Sequence, residues 1–241
     1  MVHMYVRVIA DGTVEIICLG KRFRRERIHL VINPGKGLFL PGEKSSSSCP
    51  ELNPEDVTHM ILIGELDFKR VSTIAEAVDC VIICSSKNYQ ELVRAGINRK
   101  RLSVFEQGKY SDEQCWLLVD ELEVKKERKR LIDAIPVLSS GLKKFKIFQR
   151  RYLINKASFL VVSFDEGETR MVIPLNKNAD PLIDERLEIY HPKMLLLPRE
   201  IEVNETTLKK VETVKFSSKE KSQVGSKYLA RDEWVELEDI F

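Results

Sequence analysis

Val57-Thr58-His59-Met60-Ile61-Leu62-Ile63-Gly64-Glu65-Leu66-Asp67-Phe68 is the stretch on which the reading of this chain turns. The mostly apolar run from Val57 to Leu62 predicts a buried strand, bounded by Pro54-Glu55-Asp56 before it and by Gly64 after it. Lys69 to Val78 then reads as a helix. A polar turn between a strand and a helix is where open α/β sheets place their chemistry. This turn carries one glutamate and one aspartate, with no histidine and no cysteine. His59 lies inside the strand and reads as a strand residue whose polar atoms are satisfied there.

Working outward, the earlier residues read as strands. Tyr5 to Ile9 and Thr13 to Leu19 are joined at Asp11-Gly12, a hairpin signal, and Ile28 to Ile32 ends at Asn33-Pro34-Gly35. Leu38 to Leu40 is a candidate short strand before a serine-rich loop. After the central stretch come a strand at Cys80 to Cys84, a helix over Lys87 to Ala95 capped by Gly96, and a strand at Leu102 to Phe105. Ser111 to Ile135 is the longest helical candidate, with Ser111-Asp112-Glu113 as its start, and Phe145 to Ile154 reads as a short amphipathic helix. Phe159 to Phe164 and Thr169 to Leu175 form a hairpin. Pro181 to Tyr190 is a short helix, Met194 to Leu197 a buried strand, and Leu208 to Val214 a last element. Strand hairpins interleaved with strand-helix-strand units make an α/β layered sandwich.

The chain has 241 residues and five scattered cysteines. Cys80 and Cys84 are about 13 Å apart along an extended strand, too far for a disulfide. No Cys-x-x-Cys pair suggests a zinc ribbon, so reduced thiols are expected. The N-terminus is too short and polar for a signal peptide, and no stretch approaches the roughly 20 apolar residues of a membrane span. The expectation is a cytoplasmic protein without membrane contact. The 32% of charged residues fits a heat-adapted composition. Residues 1–160 carry 27 Lys+Arg against 20 Asp+Glu, and the remainder 12 against 17. A basic body with an acidic end suits an anionic partner, and equally an ordinary solvated surface.

Several phrases resemble the metallo-β-lactamase superfamily. They are Cys18-Leu19-Gly20, Ile28 to Gly35 with Asn33 where the family has aspartate, Asn53 to His59 with its apolar continuation, Leu92 to Gly96, Leu102 to Gly108, and His191 to Pro198. The resemblance covers roughly residues 5–200. It implies an αββα sandwich of two mixed sheets flanked by helices. The family's His-x-His-x-Asp-His motif, which holds water-activating ions, falls on Ile63-Gly64-Glu65-Leu66-Asp67-Phe68 here, and only Asp67 matches. Val172 to Leu175 stands where a later aspartate ligand belongs. The resemblance therefore implies the fold and argues against the activity.

Two functions follow as expectations. The first is a non-catalytic binding or assembly protein without cofactor or metal, with residues 1–215 as the metallo-β-lactamase-like domain. Residues 216–241 are then a polar linker and an acidic, aromatic tail. The basic clusters Arg22, Arg24, Arg25 and Lys143, Lys144, Arg150, Arg151 are candidates for nucleic-acid binding, the second interleaved with Phe145, Phe148 and Tyr152. On a helix those aromatics fall on one face and the cations on the other, which is also an ordinary amphipathic pattern. The tail residues Trp234, Leu237, Ile240 and Phe241 are candidates for docking into another protein, onto a second copy, or back on their own body. The second function is a metal-dependent hydrolase with an oxygen-rich site at Glu65 and Asp67, joined by His191. Two carboxylates suit magnesium or calcium better than zinc.

Overall fold

Backbone N–H and C=O groups need partners, and the apolar runs find theirs in two sheets. The structure, a computed structural model, describes residues 3–9, 12–19, 27–43, 51–64, 66–112, 115–133, 146–164, 170–197, 213–216 and 234–237. The first sheet starts with β1 (His3–Val8), β2 (Val14–Leu19) and β3 (Arg27–Ile32), paired antiparallel. It continues in parallel through β4 (His59–Leu62), β5 (Val81–Cys84) and β6 (Leu102–Val104). Parallel neighbours need crossovers. These contain α1 (Phe68–Ala77) and α2 (Ser86–Arg94).

The second sheet repeats the scheme. β7 (Lys109–Ser111), β8 (Trp116–Asp133), β9 (Lys146–Ser163) and β10 (Arg170–Pro174) pair antiparallel. β11 (Met194–Leu197) and β12 (Thr213–Phe216) follow in parallel, with α3 (Ile183–Tyr190) before β11. β13 (Val235–Leu237) comes back to the first sheet and pairs antiparallel with β1.

Side-chain alternation builds the layers. Val6, Ile16, Leu30, Ile61 and Ile83 of the first sheet meet Leu117, Leu160, Val162, Ile173 and Leu196 of the second in one central core. The other face of the first sheet packs Met60, Leu62 and Ile82 under Val71 and Ile74 of α1 and Leu92 of α2. The other face of the second packs Phe159, Val161 and Leu195 under Ile183 and Leu187 of α3. The result is an αββα sandwich of two mixed sheets. β4 and β11 are buried at every position because both of their faces are covered.

Two helical expectations are corrected. Residues 116–133 and 146–163 are one long hairpin rather than helices, in register from Trp116↔Ser163 to Asp133↔Lys146. The period is two: Leu117 and Val119 pack on the central core, while Trp116, Leu118, Leu122 and Val124 pack on the opposite side near α3. Trp116, Leu117, Val119 and Leu122 never formed a helical stripe, and Lys125 to Arg130 offers none. A strand partner some thirty residues away supplied the hydrogen bonds that a helix would have made locally. Leu38 to Leu40 is likewise no strand; Phe39 makes one isolated bridge with Glu51. The stretch expected as a tail contributes an edge strand through Val235–Leu237. No helix among the described residues is long and apolar enough to cross a membrane.

Candidate functional site

Because β4 is central, both of its ends are candidate sites. At its C-terminal end the chain turns at Gly64 (φ 82°), a left-handed value that suits glycine. This turn is held by two asparagines. Asn33, itself left-handed at φ 47°, accepts a hydrogen bond from Ile63 N–H at 2.8 Å. Its own N–H donates to Ile61 C=O at 2.8 Å. Asn88 is buried and donates to the carbonyls of Leu62 and Gly64 at 3.4 and 3.3 Å.

Residues where the family has imidazoles contribute only packing here. Ile63 is buried in the central core, and Phe68 packs against the helix-side core. Asp67 caps α1, accepting from Arg70 N–H at 3.3 Å, and lies 3.8 Å from Lys36. Glu65 is outside the described residues. His191 closes α3 in the left-handed conformation, exposed, with its N–H donating to Leu187 C=O. Val172, Ile173 and Pro174 are buried in β10. Among the described residues, neither Asp67 nor His191 joins a group of three potential metal ligands. The described residues at this end do not fit the ions that the resemblance implies.

Alongside, Arg70 reaches from α1 to the loop of residues 35–43. It forks onto both Glu43 oxygens at 2.6 and 2.8 Å and also donates to Leu38 C=O. The hydrogen bond from Arg70, then that from Leu40 N–H, lowers the Glu43 carboxyl to about 2.

The N-terminal end of β4 is different. His59 faces the space between the sheets and meets the turn between β7 and β8. Its Nε2 is 2.8 Å from Asp112 Oδ2 and its Nδ1 is 2.9 Å from Thr58 Oγ1. Tyr110 O–H donates to Asp112 at 2.9 Å, and Cys115 N–H donates to the other carboxylate oxygen at 2.9 Å. Gly108, in the tight turn before β7, has no room for a side chain: a Cβ there would sit 2.7 Å from the Val119 carbonyl oxygen. Burial, then Asp112, pushes the Tyr110 phenol and the Cys115 thiol above their ordinary ranges. One imidazole nitrogen, one carboxylate oxygen and one thiol sulfur here lie within 4.8 Å of one another. The sequence carried one hint, since Ser111-Asp112-Glu113 was expected to start a helix, and Asp112 belongs to that phrase. It does accept a backbone N–H three residues on, but in a turn between strands.

A third polar group lies on the outer face of the first sheet. Arg7, Glu15 and His29 are buried there, with Arg7 Nε donating to Glu15 at 2.5 Å and His29 Nε2 at 3.1 Å from the same carboxylate. Trp234 covers them, its ring centroid 4.4 Å from the Arg7 guanidinium carbon. Trp234 thus contacts its own chain, and Leu237 belongs to β13; Ile240 and Phe241 are outside the described residues.

Of the basic candidates, Arg150 and Arg151 sit in β9 opposite Lys129 and Arg128. Arg22, Arg24, Arg25, Lys143 and Lys144 are outside the described residues. The amphipathic-helix reading of this cluster does not hold. Residues 146–154 are paired strand instead.

No family model and no curated protein matches the chain. Solved structures that resemble it include the isothiocyanate hydrolase from Delia radicum gut bacteria, at 15% identity over 90% of this chain and 84% of that one, TM-score 0.49. A possible metal-dependent hydrolase from Veillonella parvula matches at 10% identity over 88% and 84%, TM-score 0.47. The metallo-β-lactamase-fold protein YhfI from Bacillus subtilis matches at 9% identity over 89% and 86%, TM-score 0.42. Likenesses this distant say nothing of activity. The αββα architecture stands on the topology itself: two facing mixed sheets, each passing from antiparallel to parallel pairing, with helices outside.

Proposed function

We propose that this chain is a non-catalytic, metallo-β-lactamase-like binding protein whose β8–β9 ribbon grips nucleic acid. The observation that carries the reading is the register of that ribbon. From Val124↔Asn155 to Asp133↔Lys146 no third strand pairs with either edge among the described residues. These rungs span about 30 Å. In their midst Arg128 stands directly opposite Arg151, and Lys129 opposite Arg150. Like charges at paired positions oppose strand pairing. A polyanion lying along the ribbon turns that repulsion into attraction, and a two-stranded ribbon has the width of a duplex major groove. Phosphate contacts of this kind bind without sequence preference.

The non-catalytic half of the proposal draws on the turn after β4, whose described residues cap a helix and fill a core instead of offering imidazoles. The hydrolase alternative depends on Glu65 and Asp67.

The test is binding of the full chain to duplex and single-stranded oligonucleotides across a salt series. Four engaged cations would make log K fall by about 3–4 per tenfold rise in salt. Arg150→Glu/Arg151→Glu should abolish binding while leaving the melting temperature close to that of the parent. Absence of binding at low salt would refute the nucleic-acid reading. Hydrolysis of phosphodiester or ester substrates that Asp67→Asn removes would refute the non-catalytic one.

A further inference from the structure

We propose that His59, Asp112 and Cys115 form a structural site for a zinc-like divalent ion that clamps the two sheets together. The site is separate from the family's ion position. It lies at the other end of β4, about 16 Å from Gly64 along an extended strand.

The argument begins with the hydrogens. Thr58 Oγ1 lies 3.0 Å from His29 C=O, which already accepts from Thr58 N–H, and 2.9 Å from His59 Nδ1. With the hydroxyl proton directed to Nδ1, the ring hydrogen stands on Nε2 and donates to the Asp112 carboxylate at 2.8 Å. A divalent ion would take the place of that hydrogen, held by the same two atoms a little further apart.

The third donor selects the metal. Cys115 is buried beside this pair, and nitrogen, oxygen and sulfur together suit a borderline-soft ion, whereas magnesium and calcium take oxygen. The charges balance. With metal bound, neutral imidazole, carboxylate, thiolate and the dication sum to zero: the Cys115 thiol proton leaves to solvent, and the ring hydrogen stands on Nδ1 against Thr58 Oγ1.

The surroundings supply outer support of the kind that orients ligands: Thr58 on His59, Tyr110 on Asp112. A tetrahedral ion separates its ligand atoms by about 3.3–3.8 Å. The three atoms are already within 4.8 Å, and the Asp112 carboxylate, on a solvent-reaching turn, has room to adjust. His59 belongs to the first sheet, whereas Asp112 and Cys115 lie in the turn that opens the second, so the bonds would bridge the sandwich.

Cobalt is the direct probe. The full chain, reduced and stripped with chelator, is titrated with Co²⁺ and its absorption recorded. The expected result is a near-ultraviolet thiolate-to-cobalt band with visible bands of a tetrahedral ion, saturating at one equivalent and displaced by one equivalent of Zn²⁺. Cys115→Ser should lose the thiolate band and Asp112→Asn should weaken binding at least tenfold. Cys80→Ala, whose thiol lies in the helix-side core, should keep the full spectrum. If Cys115→Ser does not fold, zinc-dependent slowing of Cys115 alkylation in the parent chain replaces it. No thiolate band from the folded parent, a band that survives Cys115→Ser, or alkylation of Cys115 at the same rate with and without zinc would overturn the site.

Discussion

The two ends of β4 are built from opposite materials. At the C-terminal end, Asn33 and Asn88 bond to the backbone of the turn while Ile63 and Phe68 pack, so the described polar groups there serve the fold. At the N-terminal end, side chains bond to side chains: imidazole to carboxylate, phenol to carboxylate, with a thiol alongside. A closed set of backbone bonds has little left to offer a ligand. A cluster of titratable side chains does, because imidazole, carboxylate and thiolate can each present a lone pair to a cation. An end of a strand therefore cannot be assigned to chemistry by its position in the fold alone; the donors decide.

Removing what both ends share should have the largest effect. Leu62→Ala empties a fully buried position in β4 and should cost about 2–5 kcal/mol in chemical denaturation. Damage of that size should loosen both ends together.

Asp112→Asn should separate them. It removes charged hydrogen bonds from the N-terminal cluster and should cost about 1.5–3 kcal/mol in metal-free protein. It should also bring the Tyr110 phenol partway down towards its ordinary range in an ultraviolet titration, because burial, the largest cause of its elevation, remains. An unchanged phenol would mean that Asp112 does not organise this end.

Asn88→Ala tests the other end. Its loss leaves two carbonyls short of a donor, for about 1–2 kcal/mol, with no effect on the Tyr110 titration. A shifted phenol here would break the independence of the two ends.

The smallest effect belongs to the loop beside the C-terminal end. Glu43 is lowered from the ordinary 4.5 to about 2 in the folded chain. A lowered carboxyl stabilises the fold fully above pH 4.5, and that contribution is lost as pH falls towards 2. Glu43→Gln should remove this part of the acid limb and leave stability at pH 7–9 flat. A limb unchanged by the substitution would show that Arg70 does not hold the loop through Glu43.

The sequence by itself determined the elements whose signal is local. Alternation and punctuation marked β1 to β3, the continuous apolar runs marked β4, β5 and β11, and the Gly64 turn showed in its own letters that it holds no histidine. It also placed Asp67 where a helix begins, and a capping side chain needs only its own next three residues.

Tertiary structure alone decided the rest. Lys125 to Arg130 has no apolar face to announce a strand; residues 149–154 made it one by pairing with it. Trp234 could equally dock on another protein, a second copy or its own body, and the structure sets it against the buried Arg7 of its own chain. His59 and Asp112 are 53 residues apart, and neither is unusual where it stands. Their chemistry exists only after the two sheets close. A side chain's protons and charge are set by what surrounds it, and no window of sequence contains those surroundings.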